Sequence, residues 1–424
     1  MILISGGRVI DPKSGIDEFL DLIIEGSRIK KIGKFQGGNY EEIIDASRKI
    51  IVPGLIDAHV HFRYPGLTYK EDMESGAASA IAGGFTTVVC MANTKPVIDN
   101  RETLLDVLEA AGKSPINIKT VAAVSKGFEG KELTDMTQLK NLGAVGFSDD
   151  GMPLLDTAFV LKAMQTAKEL DVPICLHEED PALMGTAGIN EGEISAVMGI
   201  KGTPAVSESS MAARDCMLAL NTGAKVQIQH VSSVQTVAVI RLAKDMGAKV
   251  SAEASPFHFS LTEQAVLAHG ALAKINPPLR SEKDRYAIIE GLRDGTIDMI
   301  ATDHAPHSIE EKSRPFEQAP SGLIGIETTL ALGITNLVKT GHLTMMDLIR
   351  KMTVAPAQLY GFDSGFIAEG GHADITIFDD NETWVVSKLR SKSANSPLIG
   401  QTLTGKVKYT ICKGKILYRD EGIN

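Results

Sequence analysis

Short β-branched apolar runs alternate with longer amphipathic stretches through the middle of the chain. Eight such runs fall at 54–62, 86–93, 118–125, 144–148, 172–178, 225–232, 249–255 and 297–304. Between them lie segments with helical spacing, among them NRETLLDVLEAAGK, LDTAFVLKAMQTAKEL and SVQTVAVIRLAKDMG. This alternation predicts βα units and a parallel sheet. Eight units over about 250 residues match a (β/α)8 barrel. A doubly wound open sheet shows the same alternation, but no G-x-G-x-x-G follows the first run, which disfavours its dinucleotide-binding form. The two ends of the chain read differently. ILISG, RVID, DLIIEGSRIKKIG and KIIVPG at the start, and ADITIFDD, WVVS and GKVKYTICKGKILYRDEG at the end, are β-rich and punctuated by Gly and Asp-Pro. LIIEGSRIKKI reads as a hairpin, and the last segment as one turning at Lys413-Gly414. The α/β fold expected is therefore a (β/α)8 barrel over 54–362 with a small β-sandwich built from both termini, 1–53 plus 363–424.

Composition narrows the function classes. Hydrophobic residues are 43% and charged residues 23%, ordinary for a globular protein. The net charge of −10 argues against a nucleic-acid partner. No apolar run approaches the roughly 20 residues of a membrane span. The first residues, MILISGGRVIDPKSG, lack the pattern of a secretory leader. Cys90, Cys175, Cys216 and Cys412 form no C-x-x-C and read as reduced core thiols of a cytoplasmic protein.

The polar residues that close the apolar runs carry the chemistry. His59 and His61 are two apart, so on a strand both rings point to one face. The fourth run leads into Asp149 and Asp150, the fifth ends at His177, the sixth reaches His230 and the eighth ends near Asp303. In a barrel all of these fall on the C-terminal rim, where reactive groups gather. Singly, each has an ordinary structural reading: a hydrogen-bonded strand-end His, a turn at Asp-Asp-Gly, an N-cap at Asp303. Their common address favours metal ligands. Imidazole and carboxylate suit zinc, manganese or iron. Four His and two Asp exceed one catalytic zinc and suit two divalent ions about 3.5–4 Å apart with a bridging carboxylate and hydroxide. Asp303 would then shuttle the proton.

VPGLIDAHVHFRYPG, the later single histidines and IATDHAPH resemble the amidohydrolase superfamily. MANTKP, GFSDDG, LHEED, QHVSS, INPPLR and APSGLIGIET narrow the resemblance to bacterial type I dihydroorotases, over nearly the whole chain. The resemblance implies His59, His61 and Asp303 around one zinc ion, His177 and His230 around the other, and Asp150, in preference to Asp149, between them. GFSDDG offers no lysine for the carbamylated bridge of many relatives, and Lys126 after the third run reads as a surface residue. The implied reaction is reversible cyclisation of N-carbamoyl-L-aspartate to L-dihydroorotate by a binuclear metal-hydroxide mechanism. His61, Arg63, Asn93, Asn276, His307, Ser321 and Gly322 would contact the substrate. The planar fork of Arg63 suits its carboxylate, and the two asparagines suit an amide-containing ring. Allantoinase or hydantoinase (dihydropyrimidinase) activity is the nearest alternative. A non-catalytic partner of aspartate transcarbamoylase is the other, though no ligand is missing. A homodimer, or a complex with that transcarbamoylase, is implied on the same ground. Three departures stand out: Tyr64 where an acidic residue is expected, Phe257 where His is expected, and Ser321 where an apolar residue is expected. The length and Gly and Pro content of 306–323 suggest a loop that closes over the substrate.

Overall fold

The computed structural model describes residues 1–186 and 188–420. Residues 421–424, the end of the expected terminal unit, lie outside the described residues. The strands Leu55–Val60 and Phe85–Cys90 are buried along their whole length, as parallel strands covered on both faces must be. They pair in parallel with each other and with Asn117–Thr120. A second parallel group joins Ile174–Leu176, Val226–Ile228, Val250–Ala254 and Met299–Ile300 in sequence order. Phe147 bridges the two groups, pairing with Ala122 on one side and Ile174 on the other, and Val60 pairs with His304 to close the ring. The result is the (β/α)8 barrel.

Most of these strands are shorter than their apolar runs, the fourth being reduced to isolated bridges at Phe147 and the eighth to Met299–Ile300. In the third, which ends at Thr120, the backbone N–H groups of Val124 and Ser125 go to the Asp149 side chain instead of a neighbouring strand. In the eighth, the N–H of Thr302 goes to the Asp57 carboxylate. Each diversion turns the chain at the rim. The outer helices start where side chains cap them. Asn100 accepts from Thr103 N ahead of Arg101–Gly112, and Asp156 accepts from Ala158 N and Phe159 N ahead of Thr157–Glu169. The latter buries Val160, Ala163, Met164 and Ala167, one stripe at helical spacing.

Both termini build one further sheet. Ile2–Asp11 pairs with Ile16–Glu25, Glu42–Asp45 and Ile50–Pro53. Ile50–Pro53 in turn pairs antiparallel with Ile375–Val385, which continues into Thr402–Cys412 and Lys415–Arg419. The strands of this β-rich unit are hydrogen-bonded into one continuous mixed sheet. It has its own core, including Ile4, Val9, Leu22, Ile51, Ile375 and Ile411. Both expected hairpins form. Lys413 and Gly414 turn the last one with φ of 52° and 73°, as a tight hairpin turn requires. The segment between the last long strands leaves the sheet and reaches the barrel rim. Asn395 Nδ2 donates to the Ala305 and Gly322 carbonyls, and its Oδ1 accepts from His307 N. Among the described residues, no helix is long and apolar enough to cross a membrane.

Candidate metal centre and substrate pocket

The strand Leu55–Val60 carries His59, and the chain running on from it aims His61 at the same point, with ring centroids 5.2 Å apart. Asp150 faces them. Its Oδ1 lies 3.5 Å from His59 Nε2, 3.6 Å from His230 Nε2 and 3.8 Å from His177 Nδ1. Its Oδ2 lies 3.5 Å from His61 Nε2. Asp303 Oδ1 sits 3.0 Å from His61 Nε2 and 3.6 Å from His59 Nε2. Two metal-competent groups result, His59–His61–Asp150 and Asp150–His177–His230, and they share Asp150. Asp149 points the other way. It accepts from Val124 N at 2.7 Å, from Ser125 N and from the Ser125 hydroxyl, and burial raises its pKa to about 6.

The outer ring nitrogens fix which lone pairs face inward. His59 Nδ1 donates to Glu253 Oε1 at 2.6 Å, leaving Nε2 buried without a protein partner. His61 Nδ1 meets Asn93 Oδ1 at 2.8 Å, and His177 Nε2 meets Glu179 Oε2 at 3.1 Å. Both oxygens accept, so those nitrogens carry the protons and the inner ones face the centre, where His177 Nδ1 lies 3.0 Å from His230 Nε2; the outer His230 Nδ1 is buried without a protein partner. Both carboxylates stay ionised. Burial pushes their pKa values up, but His59 and the other rings outweigh it, holding Asp150 well below the usual range and Asp303 at about 2. Two buried anions packed among four imidazoles favour positive charge at this point. The same field acts on His59: burial opposes its protonation, yet Asp150 and Glu253 raise its pKa well above the ordinary value. The donor set and the orphaned His59 Nε2 therefore fit divalent metal. Three site residues also hold uncommon left-handed backbone, Arg63, His230 and Asp303, with φ of 58°, 31° and 47°. Such strain persists only where the surroundings enforce it.

A cavity of about 260 Å³ opens over these groups, just below the usual range for ligand sites. His61, Arg63, Asn93, Asn276, His307, Ser321 and Gly322 all line it, together with Asp150, His177, His230 and Asp303. Gly151 and Ala305 also line it and were not expected from the sequence. Arg63 is buried, and its Nε donates to the Pro306 carbonyl, which directs the rest of the fork. Asn93 does double duty, since its Nδ2 also donates to Asp150 Oδ2 at 3.1 Å. Asn276 Nδ2 donates to Glu179, and its Oδ1 is buried without a protein partner. Of the three departures, only Ser321 reaches the cavity. Tyr64 donates its hydroxyl to Asp106, and Phe257 lies in the core against Gly325. Lys126 pairs with Glu132 at the surface.

Glu253 and Glu179 were not singled out from the sequence. Glu253 is the more consequential: Oε1 holds His59 Nδ1 and also accepts from His230 N at 3.2 Å, so one carboxylate touches a residue of each metal-competent group. Its other oxygen is held by Gln227 Nε2. Glu253→Gln will weaken metal affinity about 10–100-fold, the usual effect of losing such an outer partner. Equilibrium dialysis against zinc checks this, and unchanged affinity would contradict it.

Residues 50–417 match the amidohydrolase family. Over 419 residues the chain is 60% identical to a dihydroorotase of Clostridioides difficile, covering 99% of this chain and 100% of that one. The chain belongs to the amidohydrolase family. A dihydroorotase of Lactococcus lactis subsp. lactis is 54% identical, with 99% of each chain covered. The L-hydantoinase of Arthrobacter aurescens shares the fold, with a TM-score of 0.90 at 24% identity over 100% of this chain and 97% of that one. This amidohydrolase is a metal-dependent hydrolase of the dihydroorotase type.

Proposed function

We propose that this amidohydrolase interconverts N-carbamoyl-L-aspartate and L-dihydroorotate in pyrimidine biosynthesis. The observation that carries the reading is the buried Arg63 fork in the same small cavity as both His/Asp groups, in a chain so similar to dihydroorotases. In this reading His59, His61 and Asp303 hold one zinc ion, His177 and His230 hold a second, and Asp150 is shared. Bound there, the ions would acidify water and polarise the ring amide carbonyl. The chain's own residues do the rest. Arg63 pairs with the substrate carboxylate in a charge-assisted, two-pronged geometry. Asn93, Asn276 and the backbone of Ser321 and Gly322 orient the ring amides, and His307 closes the Arg63 side. Asp303 Oδ1 is the oxygen turned to His61 and His59, which leaves Oδ2 to take a proton and deliver it to the departing ring nitrogen. In the cyclising direction Oδ2 first removes the proton from the ureido nitrogen.

Residues 1–53 with 363–424 form one unit and 54–362 the catalytic one in this reading, supported by the pairing of Ile50–Pro53 with Ile375–Val385. The cysteines are free and buried, which supports a cytoplasmic setting. A homodimer or a complex with aspartate transcarbamoylase is the assembly to test by light scattering. The deciding experiment measures dihydroorotate hydrolysis and metal content on one sample. Turnover with up to two zinc ions per chain is expected. Bound metal with turnover of allantoin or hydantoin in place of dihydroorotate would overturn the substrate. Absence of both metal and turnover after adding zinc would overturn the enzyme.

A further inference from the structure

Lys70 lies outside the cavity and in no ligand set, yet it is buried, which is rare for lysine unless it is paired. Its ammonium has two partners on the segment that borders the pocket. Lys70 Nζ is 2.9 Å from Glu311 Oε1 and 3.2 Å from His307 Nδ1. An ammonium only donates, so His307 Nδ1 must present its lone pair. The other end of the ring agrees at its shorter contact: His307 Nε2 is 2.9 Å from the Ser321 carbonyl, which only accepts, against 3.5 Å from the donor Arg63 Nη2. The opposite tautomer would set an Nδ1–H against the ammonium and leave the Ser321 carbonyl facing a lone pair. Glu311 Oε2, 3.5 Å from His307 Nδ1, would attract a proton there were Lys70 not between them in charge.

The same contacts fasten the segment at both arms. Glu311 Oε2 accepts from Ser308 N as a capping box on the turn Ile309–Lys312, and Tyr69 donates its hydroxyl to Glu311 Oε1. Lys312 Nζ then donates to the Pro320 and Gly322 carbonyls at 3.0 Å each. Ser321 and Gly322 line the cavity, so the pocket wall hangs on this chain of contacts. We propose that Lys70 is a positioning residue: it fixes His307 as the Nε2–H tautomer and latches the 306–322 segment, so that His307, Ser321 and Gly322 are held for substrate binding. The kinetic part rests on the substrate reading above; the tautomer part does not.

The test starts with the wild-type holoenzyme. Long-range ¹H–¹⁵N NMR of ¹⁵N-histidine-labelled protein, with His307 assigned by difference from His307→Gln, is expected to show a proton on Nε2 and none on Nδ1. A proton on Nδ1 overturns the proposal. In Lys70→Met, Glu311 loses its nearest cation while Arg63 and Lys312 remain, and the His307 proton is expected to shift towards Nδ1. KM for dihydroorotate is expected to rise about tenfold with kcat within about threefold and metal content unchanged, while Lys70→Arg restores most of the KM. An unchanged KM in Lys70→Met, or a fall in kcat with KM unmoved, overturns it. Should Lys70→Met not fold, Glu311→Gln breaks the latch from its other side and must raise KM in the same sense. Wild-type protein that does not turn over dihydroorotate would defeat the substrate reading, and the NMR result would still judge Lys70.

Discussion

Asp303→Asn will retain much of the bound metal and lose about 10²–10⁴-fold in kcat, the range for removing a positioned general acid–base. The amide has the size of the carboxyl group, and its oxygen can still face His61 and His59, 3.0 and 3.6 Å away. What it lacks is an ionised oxygen that can accept a proton in the transition state. In the native protein that oxygen is available, because the neighbouring imidazoles outweigh burial and hold the Asp303 pKa at about 2. The sign matters for acid stability as well. A carboxylate depressed below its unfolded value stabilises the fold above about pH 4 and loses that contribution as pH falls towards 2. The comparison is kcat at matched metal content. Full activity in the variant would remove Asp303 from proton transfer.

Asp150→Ala will abolish turnover and strip most of the metal, because both metal-competent groups lose their shared member at once. Removing one histidine would damage only one group. The control is the adjacent residue. Asp149→Asn keeps the size of the side chain but weakens a buried cap on Val124 N and Ser125 N. Its effect should be on stability, about 1–3 kcal/mol, with metal content little changed. Metal analysis and thermal melts on the pair separate the two roles. Metal loss in Asp149→Asn with full metal in Asp150→Ala would reverse them.

Much of this site was legible in the sequence because strand periodicity is rigid. His59 and His61 share a face whatever the rest of the chain does, and barrel strands deliver their last residues to one rim. Asp149 against Asp150 was open from spacing alone. Adjacent carboxylates differ only in how the turn at Gly151 rotates them, and that is set by Val124 and Ser125, beyond the end of the strand Asn117–Thr120. The early ends of the third and eighth strands were hidden for a related reason: side chains of Asp149 and Asp57 capture backbone donors that the apolar runs assign to the sheet. Glu253 lies 194 residues from His59, and in VSAEAS it looks like any polar position in an alternating strand. Lys70 in YKED looks like part of a solvated charge run. In both cases the partner that gives the residue meaning is remote in sequence.

The pairing of Ile50–Pro53 with Ile375–Phe378 also bears on how the protein is made. The first strand emerges from the ribosome roughly 320 residues before its partner, a delay of about 15–65 s at about 5–20 residues per second. Throughout that time the edge of Ile50–Pro53 has no native neighbour, and such an edge is a template for pairing with another nascent chain. Asn395, which braces Ala305, Gly322 and His307, arrives later still. The barrel rim is thus finished only once Asn395 has been translated, so a chain that stops short of it carries every candidate ligand and still lacks a settled pocket.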